Sequence, residues 1–133
     1  MENFAYRLDF KVRDYECDIE GIVNNSVYMN YMEHARHEYF HTLGIDFAAL
    51  AKNGINLIVV RAEMDYKYPL RSGDSFFVTV TPVRESKIRL AFMQNIYRLP
   101  DEKPIMTAKI TGTAMNEKGR PCMPQELNEI FGV

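Results

Sequence analysis

NNSVYMNYMEHARHEYFHTLG, residues 24–44, carries apolar and aromatic side chains at helical spacing. At about 100° per residue, Tyr28, Tyr31, Met32, Ala35, Tyr39 and Leu43 fall on one side, and Asn30, Glu33, His34, His37 and His41 on the other. The spacing predicts a long amphipathic helix over Val27 to Leu43. Asn24, Asn25 and Ser26 offer side-chain oxygens to the unpaired amides of its first turn, and Gly44 suits the left-handed turn that closes its last one.

Outward from this helix the period changes to two. Before it, Phe4, Tyr6, Leu8, Phe10 and Val12 alternate with Arg7, Asp9, Lys11 and Arg13, which predicts a half-buried strand over Phe4 to Arg13. After it, Asp46 to Lys52 reads as a short helix ended by Asn53 and Gly54. From Ile58, the apolar or aromatic Val60, Ala62, Met64, Tyr66 and Tyr68 are separated by Arg61, Glu63, Asp65 and Lys67. That is a strand with one packed and one wet face. FFVTVTPV and IRLAFMQNIYRL form a hairpin around Glu85-Ser86-Lys87, Ile105 to Met115 is a fifth strand, and QELNEIF after Pro124 is a short terminal helix. Five strands and one long helix define an α+β class with one mostly antiparallel sheet. The exposed edges and second face of such a sheet are commonly covered by self-association, so at least a dimer is expected.

Composition agrees with one globular domain spanning residues 1–133. Hydrophobic residues make up 47% and charged residues 26%, and a chain of this length hides roughly 65–70% of its unfolded surface without disulfides or a structural metal. A net charge of −2 gives no general pull toward nucleic acid or an anionic membrane. Cys17 and Cys122 form no metal-binding or redox pair, and the N-terminus alternates instead of running apolar. A cytoplasmic protein with no bilayer-spanning segment is expected.

Three places hold chemistry. Glu16, Asp18 and Glu20 arrive just before the long helix, whose start is a ready site for an anion or a developing oxyanion. A base beside such a site suits acyl transfer, while acidic residues also precede helices simply because the helix dipole favours them. His37-Glu38-Tyr39-Phe40-His41 matches the two-histidine zinc pattern, with Glu63 as the only nominee for a third ligand; solvated histidines on a polar helix face, His34 among them, account for it better, and no metal is expected. Cys17 is disfavoured as a nucleophile by Glu16 and Asp18, which raise its pKa. Ser26, Ser72 and Ser86 lie in no nucleophile elbow, and no glycine-rich phosphate loop is present. Arg84, Lys87 and Arg89 form a modest basic cluster at the hairpin.

The run from Asp18 through Gly21, Asn24-Asn25 and Tyr28 to Arg36, with a second block from Val59 through Tyr66, Pro69 and Gly73-Asp74, resembles the hotdog-fold acyl-CoA thioesterases of the 4-hydroxybenzoyl-CoA thioesterase type. The resemblance covers roughly residues 5–115. It implies a hotdog fold, a five-stranded sheet wrapped around one long central helix, and a metal- and cofactor-independent thioester hydrolase. Asp18 would be the catalytic base or nucleophile, and the backbone N–H of Asn25 would polarise the thioester carbonyl. Gly21, Tyr28 and Glu33 would line the substrate, and Lys87 and Arg89 are nominees for the nucleotide phosphates. Ile22 stands where many members have His. The implied substrate is acyl-CoA, with acyl carrier protein thioesters or a non-catalytic binding module as alternatives. The implied assembly is a homodimer or homotetramer with the cleft between subunits.

Overall fold

The computed structural model describes residues 3–132. In chain order the elements are β1 Tyr6–Lys11, α1 Asn25–Thr42, α2 Phe47–Lys52, β2 Asn56–Tyr66, β3 Ser75–Arg84, β4 Leu90–Leu99, β5 Lys103–Met115 and α3 Gln125–Phe131, with a 3-10 turn at Asp14–Glu16. The strands form one sheet in the order β1-β3-β4-β5-β2, and all four pairings are antiparallel, so the sheet is wholly rather than mostly so.

α1 packs on β3 and β1 and buries Tyr28, Tyr31, Met32, Ala35 and Tyr39 against Phe76, Val78, Val80 and Ile96. It begins two residues before the expected Val27, because the Asn24 side chain accepts the Ser26 N–H at 3.1 Å and fixes the first turn there. Two further differences follow from how the sheet curves around the helix. Leu43, expected to be buried, caps the helix at 46% exposure, while Phe40 is wholly buried in a ring cluster with Phe47, Phe92 and Phe131.

β2 is the larger departure. The strand is present, but its alternation does not become one packed and one wet face: Ile58, Val59 and Val60 are 41–46% exposed. It is the last strand of the sheet, α1 packs chiefly on β3 and β1 and meets β2 at its Tyr66 end, and the short α2 approaches it farther along. A bulge at Val60 interrupts its pairing with β5, and there the backbone of Gly112 passes so close to Ile58 that an added Cβ would stand 2.9 Å from the Ile58 carbonyl oxygen.

The strand directions give the sheet two distinct ends. Lys11, Tyr66, Ser75, Leu99 and Lys103 lie at the end where α1 starts; Tyr6, Asn56, Arg84, Leu90 and Met115 lie at the other.

Candidate active site

Between β1 and α1 the chain makes a tight hairpin. Cys17 bridges Val23, the Asp18 N–H donates to the Ile22 carbonyl at 2.9 Å, and the Gly21 N–H donates to the Asp18 carbonyl at 3.0 Å. Gly21 has φ +80°, a left-handed conformation that closes the turn and that a side chain would strain. One limb is pinned to the β2–β3 connection by the Val23 N–H on the Leu70 carbonyl, the other to the helix start by the Asn24 N–H on the Glu16 carbonyl. Asp18 is exposed at the turn, and its Oδ1 accepts the Glu20 N–H at 2.9 Å. Asn25 is the first residue of α1. Its carbonyl accepts the Tyr66 hydroxyl at 3.3 Å, and its own N–H makes no hydrogen bond to a described residue, as befits the first amide of a helix.

The hairpin rests on a buried carboxylate that the sequence reading did not single out. Glu16 Oε1 accepts both the Tyr31 hydroxyl and the Arg13 N–H at 2.8 Å, and Arg13 Nη1 lies 3.5 Å from Oε2. Burial first, and then the hydrogen bond to the Glu16 charge, push the Tyr31 phenol up, so it stays a donor. The available signal was Tyr31 itself: a tyrosine on the buried helix face needs a partner for its hydroxyl. Tyr28, expected to line the substrate, stands in the core, and its hydroxyl accepts the Leu70 N–H at 3.1 Å.

Among the described residues three cavities adjoin the helix, and neither Asp18 nor Asn25 lines any of these three. The largest of the three, about 880 Å³, lies between β1 and α1, its wall mixing Lys11, Arg13, Asp14 and His34 with Phe10 and Val12. The second, about 420 Å³, is mainly apolar and lies between α1, α2 and the β4-β5-β2 side of the sheet. Glu33 lines it, as do His37 and the buried Arg36. Arg36 Nη1 donates to Gln94 Oε1 at 2.9 Å, and Gln94 Nε2 donates to the Met32 carbonyl at 3.0 Å. Burial lowers the Arg36 guanidinium to about 10, so it remains charged at neutral pH. The third cavity, about 360 Å³, lies between the end of α1 and α3.

Lys87 and Arg89 are exposed in the β3–β4 hairpin, at the end of the sheet away from Asp18, roughly 30 Å along a ten-residue strand. A single chain does not bring them together with Asp18 and Asn25. Arg84 does not join them as a free cation, since its guanidinium is bonded to the Ser86, Lys87 and Gly132 carbonyls and to Asn128. His37 packs at a tilt against Phe47 with ring centres 4.5 Å apart, His41 is exposed, and Glu63 pairs with Arg61 at 2.6 Å. Among the described residues no three metal-ligating side chains come together. Burial, and then Asp14, Asp18 and Glu16, raise the pKa of the Cys17 thiol.

Comparison with known proteins adds three findings. A model of the thioesterase-like superfamily matches residues 12–131. Two chloroplastic proteins of Arabidopsis thaliana, both named acyl-acyl carrier protein thioesterases, are 38% and 40% identical over 96% and 95% of this chain and 68% and 67% of their own length. The crystal structure of a 1,4-dihydroxy-2-naphthoyl-CoA thioesterase from Synechocystis superposes with a TM-score of 0.90 at 16% identity, covering 94% of this chain and 93% of the other; at that identity the likeness establishes the hotdog fold.

Proposed function

The chain belongs to the thioesterase-like superfamily, and from that premise we propose that it hydrolyses an acyl thioester at the start of α1. The observation that carries the reading is the unpaired Asn25 amide, delivered by the same pinned hairpin that exposes Asp18. In this reading the Asn25 N–H, helped by the positive end of the helix, stabilises the oxygen of the thioester carbonyl as it gains charge. The Asp18 carboxylate takes a proton from water as the water oxygen attacks the carbonyl carbon, or attacks that carbon itself. The C–S bond breaks, the thiolate leaves and is protonated, and water supplies the OH of the free acid. A thiol is a good leaving group, so neither a metal nor a nucleophilic serine is needed.

Asp18 and Asn25 lie open in one chain, so the site needs a second surface, and the exposed β2 edge supplies the means. Antiparallel pairing of β2 with β2 of a second copy brings the far end of one sheet to the α1 end of the other. Lys87 and Arg89 of the partner subunit then approach the Asp18 side, where they suit the phosphates of a CoA substrate in a cleft between subunits. The names of the Arabidopsis relatives favour a second reading of the carrier, acyl carrier protein in place of CoA.

Release of free thiol from matched dodecanoyl-CoA and dodecanoyl-acyl carrier protein tests both readings. The expected result is turnover by the wild type and a fall in kcat of at least 100-fold in Asp18→Asn, with the thermal midpoint unchanged within about 2 °C. The carrier with the higher kcat/KM is the physiological class. Undiminished turnover by purified Asp18→Asn removes Asp18 from the chemistry, and no release from either carrier removes the hydrolase reading.

A further inference from the structure

A thioesterase of this plan must put the acyl group somewhere, and the cavities differ sharply in chemistry. The 880 Å³ cavity mixes Leu8, Phe10 and Val12 with the charged Asp9, Lys11, Arg13 and Asp14, so an alkyl chain there would lie beside groups that keep their water. The 420 Å³ cavity lies within the range of small-molecule sites and is mainly aromatic and aliphatic, with Phe40, Phe92 and Ile110 at its base. It exists because α1 packs toward β3 and β1 while α2 covers β2, which leaves a gap over β4 and β5. Its wall toward α2 is Phe47 with the small, exposed Ala48 and Ala51. Its α1 wall begins at Glu33, eight residues from Asn25, or about 12 Å along the helix.

We infer, on the strength of the reading above, that this pocket holds the distal half of a long straight acyl chain, and that Ala48 and Ala51 set how long that chain can be. An extended chain advances about 1.2 Å per bond, so roughly ten carbons separate a carbonyl held at Asn25 from the pocket entrance at Glu33. Shorter acyl groups end before they reach it. Each methylene beyond that length leaves water for an apolar wall, which favours the bound state by roughly fourfold per carbon. Dodecanoyl to hexadecanoyl thioesters are the class this geometry selects, over butyryl and over compact aromatic acyl groups.

The test is thiol release from butyryl-, octanoyl-, dodecanoyl-, hexadecanoyl- and benzoyl-CoA by the wild type, Ala51→Phe and Ala48→Phe, with folding checked by circular dichroism. The wild type is expected to favour dodecanoyl over butyryl by at least tenfold in kcat/KM. A phenyl ring in the pocket should cut the hexadecanoyl-to-octanoyl ratio at least tenfold. Two results overturn the inference: a wild type that prefers butyryl or benzoyl, or a chain-length profile unchanged in either folded variant. Calorimetric binding of dodecanoic acid keeps this separate from the hydrolase reading. If no thioester is cleaved, that reading fails, while one dodecanoate bound per wild-type chain and lost in Ala51→Phe still upholds the pocket. Absence of dodecanoate binding by a wild type that also cleaves no thioester sinks both.

Discussion

Glu16 shows what a single buried side chain does in this protein. Its carboxylate is 8% exposed as a residue and tolerable there because the Tyr31 hydroxyl and the Arg13 amide both donate to it. Tyr31→Phe removes one donor and leaves the charge in place, so it should cost about 1.5–3 kcal/mol in urea unfolding. A variant as stable as the wild type would show that water replaces the phenol. His37 is the second case. Burial lowers its pKa from the ordinary 6.5; Glu33 opposes this, while Arg36, His41 and His34 add to it. As pH falls, the unfolded chain therefore takes up the proton first. The contribution of neutral His37 is complete above about pH 6.5 and is lost as pH drops through that value toward the lower one of the folded state. His37→Gln should flatten the difference between urea midpoints at pH 5 and pH 7.5. The helix start at Asn24 to Ser26 and the turn at Gly21 were legible because capping and turn residues mark them locally. Glu16 and Arg36 were not, because charged residues are seldom buried and their partners, Tyr31 and Gln94, lie 15 and 58 residues away.

Secondary-structure elements were easier to read than their surroundings. Alternation identified β2 because period two reports which side chains share a face of a strand. It could not report whether anything covers that face, which depends on where α1 settles after the sheet is formed. Phe40 escaped for a related reason: it sits off the main apolar stripe of α1 and is buried only because α2, β4 and α3 bring Phe47, Phe92 and Phe131 around it. The contact between β5 and the β2 bulge was also invisible, although Gly112 within a strand is a known sign of close backbone approach. Gly112→Ala would press a methyl group toward the Ile58 carbonyl at 2.9 Å, with backbone rather than a flexible side chain in the way. A loss of about 1–3 kcal/mol is expected by chemical denaturation. An unchanged urea midpoint would mean that the bulge moves freely.

At the scale of the whole molecule, the uncovered β2 edge is where the proposed assembly would form. Static light scattering of the wild type should give two or four times the 15.5 kDa chain mass, and the double variant Ile58→Asp/Val60→Asp should give one. With the site closing between copies as proposed, loss of assembly should also lower thiol release at least tenfold. A variant that is monomeric yet fully active would leave the site complete in one chain. At the opposite end of the sheet, Arg84 acts as a buckle: one guanidinium fastens the 86–87 bend to Asn128 and Gly132 through contacts of 2.7 Å, and Phe131 closes on Phe40 and Phe92. A protease cut after Met123 would therefore do more than shorten the chain. With the strap and its Phe131 gone, Phe40 and Phe92 would lose their cover, the bend would lose its tether, and the clipped protein should bind a fluorescent apolar dye that the intact one ignores.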